Sequence, residues 1–334
     1  MSPRPSTSRS AALAAAIVCA ACGAARAEEP REIQVRTASP DGVGEMVFDA
    51  LATGPEDGEL VLLLHGFPQT GFSYRHQLRA LGEAGYYAVA PDQRGYSPGA
   101  RPEEIEAYGM VHLVGDVVRM AAALGRERFH LVGHDWGGAV AWATATYQPQ
   151  RVLTLVVLST PHFGAMSRAL ADPESEQYRR SAYFEDFAAP DSELGFLADD
   201  AARLRDILAG TGSSPEEIGV YLERLGDRET MRAALNWYRA LQASRAPPPP
   251  AATGDGGAPR ATGAPAGPRV AAPTLYIWGT EDVAFSRDAV EATAEYVGGP
   301  YALHEIEGAG HWLPEEEAET VTRLLLEHLR RPPD

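Results

Sequence analysis

The chain has 334 residues, 45% of them apolar and 22% charged, with 46 acidic against 29 basic residues and a formal net charge of −17. Every basic residue is arginine, and so acidic a chain disfavours nucleic acid and anionic membrane surfaces as partners. Both cysteines, Cys19 and Cys22, fall near the N-terminus, which leaves the rest without a disulfide, a thiol nucleophile or a cysteine metal site.

Residues 1–27 have the layout of an export signal. Arg4 and Arg9 precede an alanine-rich apolar run, and Ala25-Arg26-Ala27 offers a small-x-small cleavage site before Glu28. The run is too short and too weakly apolar for a stable membrane span. An exported protein, periplasmic or secreted, is expected, with Cys19-Ala20-Ala21-Cys22 leaving lipoprotein anchoring as a lesser alternative. Cleavage would remove three arginines and take the formal charge from −17 to about −20. The remaining length of about 300 residues is ample for one large domain with an insertion.

Residues 32–38 and 45–52 alternate as paired strands do. Leu60-Val61-Leu62-Leu63-Leu64 is a continuous apolar run of the kind a central parallel strand shows, and it ends in His65-Gly66-Phe67-Pro68-Gln69-Thr70-Gly71. A helix over about 72–81 precedes a strand over 86–90, which runs into Pro91-Asp92-Gln93-Arg94-Gly95-Tyr96. A further strand ends in Gly133-His134-Asp135-Trp136-Gly137-Gly138; a helix to about 147 and a buried strand over 152–158 follow. This alternation predicts an α/β core with a mostly parallel sheet flanked by helices, its first part spanning 28–159. Residues 160–245 change to charged helical segments, read as a helical cap inserted into the core. Residues 246–273 are rich in Pro, Ala and Gly, have almost nothing to bury and read as a linker. Strands over 274–278 and 301–306 and a closing helix over 315–329 return the chain to the core, 274–334.

The chemistry centres on Asp135. Small residues two before and two after it let the backbone turn sharply from strand to helix and hold the central side chain up. The stretch resembles the nucleophile elbow of the α/β-hydrolases, with aspartate where serine usually sits. A serine alkylated at a saturated carbon becomes an ether, which water does not readily cleave. An alkylated aspartate is an ester whose carbonyl carbon water can attack. The carboxylate therefore suits substitution at an sp³ carbon, such as that of an epoxide or alkyl halide.

In the order this architecture expects, nucleophile, acid and histidine, Asp282 follows the strand at 274–278 and His311 follows the last strand. His311 can take a proton from water while Asp282 orients its ring. Glu281 is the nearest rival acid; the other position used for it, after the strand preceding the cap, reads Ser159-Thr160-Pro161. His65-Gly66-Phe67-Pro68 is placed to form the oxyanion hole, with the N–H groups of Phe67 and Trp136 aimed at charge developing on the Asp135 carbonyl. Pro68 lacks an N–H, stiffens that loop and is a candidate for a cis peptide bond. His65, His130, His134, His162 and His304 read as structural, and His76, His112 and His328 as ordinary helix positions. No zinc-like spacing of His and Asp is evident.

Taken together, these residues resemble the α/β-hydrolase-fold epoxide hydrolases over essentially all of the mature chain outside 246–273. The resemblance implies that fold, no metal or organic cofactor, and two cap tyrosines that hold and protonate the epoxide oxygen. Leu235-Asn236-Trp237-Tyr238-Arg239 carries one of these motifs and gives Tyr238. Tyr183-Phe184-Glu185-Asp186-Phe187-Ala188-Ala189-Pro190 resembles the other and gives Tyr183, with Ala188 and Asp191 where the family has Gln and Gly. The implied reaction turns a small-molecule epoxide into a vicinal diol through an alkyl ester on Asp135. A haloalkane dehalogenase would share the fold, elbow, base and acid, but the asparagine it uses at the position of Phe67 is absent. Fluoroacetate-type dehalogenases carry arginine where Trp136 stands. A non-catalytic ligand-binding protein on this fold would have no need of His311 opposite Asp135.

Overall fold

A computed structural model describes residues 29–39, 44–245 and 267–330. The expected export segment and most of the Pro/Ala/Gly-rich stretch lie outside the described residues. Eight strands form one sheet: β1 (Arg31–Ala38), β2 (Glu45–Thr53), β3 (Leu60–Leu64), β4 (Tyr87–Pro91), β5 (Phe129–His134), β6 (Val152–Leu158), β7 (Thr274–Gly279) and β8 (Tyr301–Ile306). Their spatial order is β1-β2-β4-β3-β5-β6-β7-β8. The pairings β1/β2 and β2/β4 are antiparallel, and every pairing from β4/β3 to β7/β8 is parallel.

β3, β4, β5 and β7 are buried along their whole length, as expected of strands covered on both faces. Alternate side chains enter two separate cores. Leu62 and Leu64 join Leu113 and Val117 of α2 (Met110–Ala123) and Val140 of α3 (Trp136–Tyr147). Val61 and Leu63 instead meet Leu78 and Leu81 of α1 (Arg75–Glu83) and Val321 and Leu325 near the C-terminus.

Strand order decides where the functional loops meet. Chain order reverses about β3, which lies between β4 and β5, and such a switch opens a crevice at the carboxyl ends of the strands. Leu64 pairs with Gly133, so the loop after β3 emerges beside the one after β5. His134 pairs with Leu158, Leu158 with Ile277 and Gly279 with Ile306, which brings the ends of β6, β7 and β8 to the same edge.

Between β6 and β7 come α4 (Phe163–Leu170), α5 (Glu176–Arg180), α6 (Tyr183–Ala188), α7 (Ser192–Ala209), α8 (Pro215–Leu225) and α9 (Arg228–Arg245). α7 leaves helical geometry over 198–201. After β7 come α10 (Arg287–Ala292), α11 (Leu313–Glu316) and α12 (Ala318–Leu329).

Three details differ from the sequence reading. The helix expected over 72–81 starts as a tighter 3₁₀ turn, Gly71–Tyr74, whose Phe72 N–H is capped by Thr70, and runs on to Glu83. The single closing helix is two, broken at Glu317 (φ −121°, ψ 36°). Glu315 accepts from Arg75 of α1, and Glu316 accepts the Gly310 N–H just before His311, so the turn after His311 is anchored apart from α12. The described end of the linker, 267–273, does bury apolar atoms: Val270 and Ala272 are in the core, and Val270 bridges to Val297.

The loop after β4 rests on a buried ion pair. Arg94 donates from Nε and Nη2 to the two oxygens of Asp116, each at 2.6 Å, with both side chains nearly inaccessible. The Arg94 carbonyl accepts from the Trp237 indole of α9 at 2.9 Å, so this loop also carries the helices above it. Removing one member of such a pair strands the other charge, and Asp116→Asn is expected to cost about 3–5 kcal/mol. Urea unfolding of the variant checks this, and a midpoint equal to wild type would refute it.

Candidate active site

Asp135 sits between the end of β5 and the start of α3 with φ 50° and ψ −120°, a backbone conformation that L side chains rarely adopt. The turn closes because its neighbours are glycine: a Cβ on Gly133 would collide with the backbone of Gly137, and one on Gly137 with the backbone of Leu64. Thr160, just past β6, holds the turn by donating from Oγ1 to the Asp135 carbonyl at 2.8 Å.

The two carboxylate oxygens of Asp135 have unlike partners. Oδ1 accepts the backbone N–H of Phe67 at 2.8 Å, and the Trp136 N–H also bonds the carboxylate. This close approach of the β3 loop needs Gly66, where any Cβ would strike the Asp135 side chain. The loop is braced by His65, whose Nδ1 donates to the Gly66 carbonyl at 2.9 Å while Nε2 accepts from the Gln93 N–H at 3.1 Å. Burial lowers the His65 pKa to about 4, so the ring stays neutral. The Phe67–Pro68 peptide bond is cis.

Oδ2 faces Nε2 of His311 at 3.6 Å. On the far side of that ring Nδ1 lies 3.0 and 3.2 Å from the Asp282 oxygens. Asp282 is itself fixed, since its Oδ1 accepts the N–H groups of Ala284 at 2.7 Å and Phe285 at 3.1 Å. Glu281, the rival acid, is exposed, and Asp282 is the carboxylate against His311. The His311 carbonyl accepts from Ser159 Oγ at 2.7 Å and from His134 Nε2 at 2.8 Å. Burial, with the His311 charge, lowers the His134 pKa to about 4.

Burial alone would discharge His311, but the Asp282 charge and hydrogen bond, with the Asp135 carboxylate 3.6 Å from Nε2, hold its pKa up to about 10. Burial would likewise raise the Asp135 pKa; hydrogen bonding and charge from His311 bring it below the ordinary carboxylate value. The resting pair is thus carboxylate and imidazolium.

Two phenols stand over this pair. Tyr238 of α9 is buried, its ring centroid 5.1 Å from Trp136 and 5.5 Å from Phe67. Tyr183, at the start of α6, lies 6.3 Å from Tyr238 between ring centroids. Burial raises both pKa values well above 10, reinforced for Tyr183 by the Asp135 charge and for Tyr238 by Tyr183 and then Asp135. Both are therefore O–H donors at any ordinary pH. Phe67, Phe184 and Phe187 pack around Tyr238, with Phe196 behind Phe67 and Phe187, and make the surroundings apolar.

All seven residues singled out in the sequence, Phe67, Asp135, Trp136, Tyr183, Tyr238, Asp282 and His311, meet in this one place. Sequence reasoning overlooked what Ser159, Thr160 and His134 hold. No local pattern marks Ser159 and Thr160; the only signal is positional, since they follow a strand lodged between those that carry Asp135 and Asp282. The arrangement can deliver a carboxylate oxygen to an electrophilic carbon, give a proton to a departing oxygen and hold an oxyanion at Oδ1.

The α/β-hydrolase fold family matches residues 59–318. Among characterised proteins, the chain is 33% identical to epoxide hydrolase A of Mycobacterium tuberculosis, over 88% of this chain and 96% of that protein. It is 32% identical to the AB hydrolase superfamily protein YfhM of Bacillus subtilis, over 84% and 93%. Among solved structures it resembles epoxide hydrolase A of Mycobacterium thermoresistibile, with a TM-score of 0.72 and 28% identity over 90% of this chain and 98% of that one. A novel epoxide hydrolase from metagenomes of hot environments gives a TM-score of 0.74 at 29% identity, over 89% and 98%.

Two expectations follow from the geometry. Gly66→Ala should leave the fold intact by circular dichroism yet displace the Asp135 carboxyl group, lowering turnover by about a hundredfold; unchanged turnover would sink the argument. An unfolded imidazole titrates near 6.5 and folded His311 near 10, so its stabilisation is full below pH 6.5 and fades as pH rises toward 10. Asp135 works at the other end, stabilising above the ordinary 3.8 and losing that contribution as pH falls below it. Unfolding midpoints from pH 7 to 10 should therefore fall more steeply for wild type than for His311→Gln, and parallel curves would contradict the assignment.

Proposed function

This chain belongs to the α/β-hydrolase-fold epoxide hydrolases and its activity is of that type; from that premise we propose that it opens epoxides to vicinal diols through a covalent ester on Asp135. The observation that carries the reading is the division of labour between the Asp135 oxygens. Oδ1 accepts the N–H of Phe67, which leaves Oδ2 as the nucleophile, on the His311 side, with the Trp136 N–H also bearing on the carboxylate.

Oδ2 attacks one epoxide carbon, and the C–O bond breaks with its electron pair passing to the epoxide oxygen. A proton from Tyr238 or Tyr183 meets that oxygen as its charge develops. The product is a neutral hydroxyalkyl ester. Its formation removes the negative charge opposite His311, and with it much of what holds the imidazolium proton. The tyrosinate just formed takes that proton and is a phenol again, and the neutral ring becomes a base.

Water then attacks the ester carbonyl carbon as His311 Nε2 takes its proton and Asp282 steadies the imidazolium. The resulting oxyanion forms on Oδ1, which already accepts the Phe67 N–H, with the Trp136 N–H as the second donor; one such donor is typically worth about 10²–10³ in rate. Collapse expels the diol oxygen, which takes the proton from His311; Asp135, now a carboxylic acid holding one oxygen from water, then gives its proton to His311, and the resting carboxylate and imidazolium are restored. A small apolar epoxide is the substrate in keeping with the aromatic surroundings of Tyr238, Phe67 and Phe187.

The test uses His311→Gln, in which alkylation proceeds and hydrolysis stalls. Incubated with a panel of epoxides and alkyl halides, the variant should gain the full mass of an epoxide, mapped by peptide mass spectrometry to Asp135. An adduct that has lost halide, with epoxides inert, would move the reaction to dehalogenation. No adduct with any member of the panel, on folded protein, would overturn the covalent mechanism.

A further inference from the structure

The turn that carries Asp282 is gripped from outside the core. Its tip projects into solvent, with Val283 75% exposed, and two side chains of α5, from the inserted segment, hold what lies behind the tip. Gln177 is buried; its Nε2 donates to the Ala284 carbonyl at 2.8 Å and its Oε1 accepts the Ser286 N–H at 2.8 Å. This is the donor-and-acceptor pattern of a neighbouring strand, supplied by one carboxamide. Arg180, on the same helix, donates from Nη1 to the carbonyls of Asp282 and, at 3.2 Å, Phe285. Its remaining nitrogens bind Glu176.

The same turn points inward through its other backbone groups. The N–H groups of Ala284 and Phe285 fix Asp282 Oδ1, which faces His311 Nδ1, and the Phe285 ring lies 5.6 Å from the His311 ring between centroids. A run of contacts therefore leads from Gln177 through residues 284–286 to Asp282, to His311 and finally to Asp135. Without Gln177, a buried carbonyl and a buried N–H lose their partners, and the turn can recover them only by moving, taking Asp282 with it.

We propose that Gln177 is a positioning residue: by docking on the turn at 284–286, the cap sets Asp282 against His311 and so governs hydrolysis of the ester and not its formation. The division between the two half-reactions rests on the function proposed above; the positioning itself does not. Formation of the ester uses Asp135 and the phenols, which Gln177 does not touch. Hydrolysis needs the His311 ring held at one angle by Asp282.

The first measurement needs no substrate. The Asp135, Asp282 and Glu316 charges bear on His311, with His134 neutral beside it, and substitution at 177 alters none of them. In ring-labelled protein, NMR of His311 should show the Nδ1–H signal moved upfield in Gln177→Met. The titration midpoint of the ring should fall by about 1 as Asp282 loses its hold. Gln177→Asn keeps an uncharged carboxamide, one carbon shorter, and should give a smaller change, which preserves the test if the Met variant does not fold. An unmoved signal and midpoint in either folded variant would overturn the proposal.

The second measurement follows ester formation and decay by rapid-quench mass spectrometry with styrene oxide. Gln177→Met should form ester at a rate within about twofold of wild type and hydrolyse it about tenfold more slowly, so that ester accumulates. Equal slowing of both steps would mark a merely structural role and refute the proposal. Should wild-type protein form no ester with any epoxide, the proposed function fails, and the His311 signal still decides the role of Gln177.

Discussion

A carboxylate that must be both buried and reactive is the constraint on which this structure turns. Asp135 is almost inaccessible, and a charge taken out of water is tolerated only when paired and hydrogen-bonded. Here one oxygen accepts a backbone N–H and the other faces an imidazolium. To bring those partners in, the chain accepts a strained backbone at Asp135 and spends glycines at 66, 133 and 137 where side chains would collide. The parallel strand order then brings the ends of β3, β5, β6, β7 and β8 to one edge, each contributing a loop to the same few ångströms.

The charges in the site depend on one another. His311 is held cationic by Asp135 and Asp282, and Asp135 is held anionic by His311. In the proposed cycle, alkylation neutralises one member and thereby changes the other from counterion to base, with no movement of the protein required. His65 and His134, both kept neutral by burial, brace the site without competing for its proton.

The helices over the site are fastened at several separate points. Arg75 of α1 reaches Glu217 of α8 and buried Glu315 behind His311, and Glu315 also accepts from Tyr221 and Gln69. Arg224 of α8 sits between Asp49 and Asp92, 3.0 Å from each. Trp237 reaches the Arg94 carbonyl, and Gln177 and Arg180 take the turn of Asp282. These attachments hold the phenols of Tyr183 and Tyr238 over Asp135 and exclude water from a site where unshielded charge acts strongly. Several of them end on backbone groups of loops that carry the chemistry, so the cover and the reactive groups form one rigid unit.

What could be read from the sequence were features whose physical cause is local. Continuous apolar runs such as 60–64 mark strands covered on both faces. The glycine spacing about Asp135 follows from the sterics of a tight strand-to-helix turn, and the aspartate itself states the chemistry of attack at saturated carbon. Other features depend on which segments become neighbours. Asp282 and Glu281 are adjacent carboxylates, indistinguishable by type, and only the path of the turn after β7 puts one against His311 and the other in solvent. The turn before the break at Glu317 is anchored through Glu315 by Arg75, 240 residues earlier in the chain. Ser159, Thr160 and Gln177 look ordinary in their own surroundings and matter because of backbone groups more than a hundred residues away, or across a strand pairing. By itself the sequence determined the elements and the reactive side chains, because periodicity, backbone sterics and functional-group chemistry act within a few residues. The tertiary structure alone decided which carboxylate, carbonyl and amide face each other, because hydrogen bonds between distant segments exist only once the strands have taken their order.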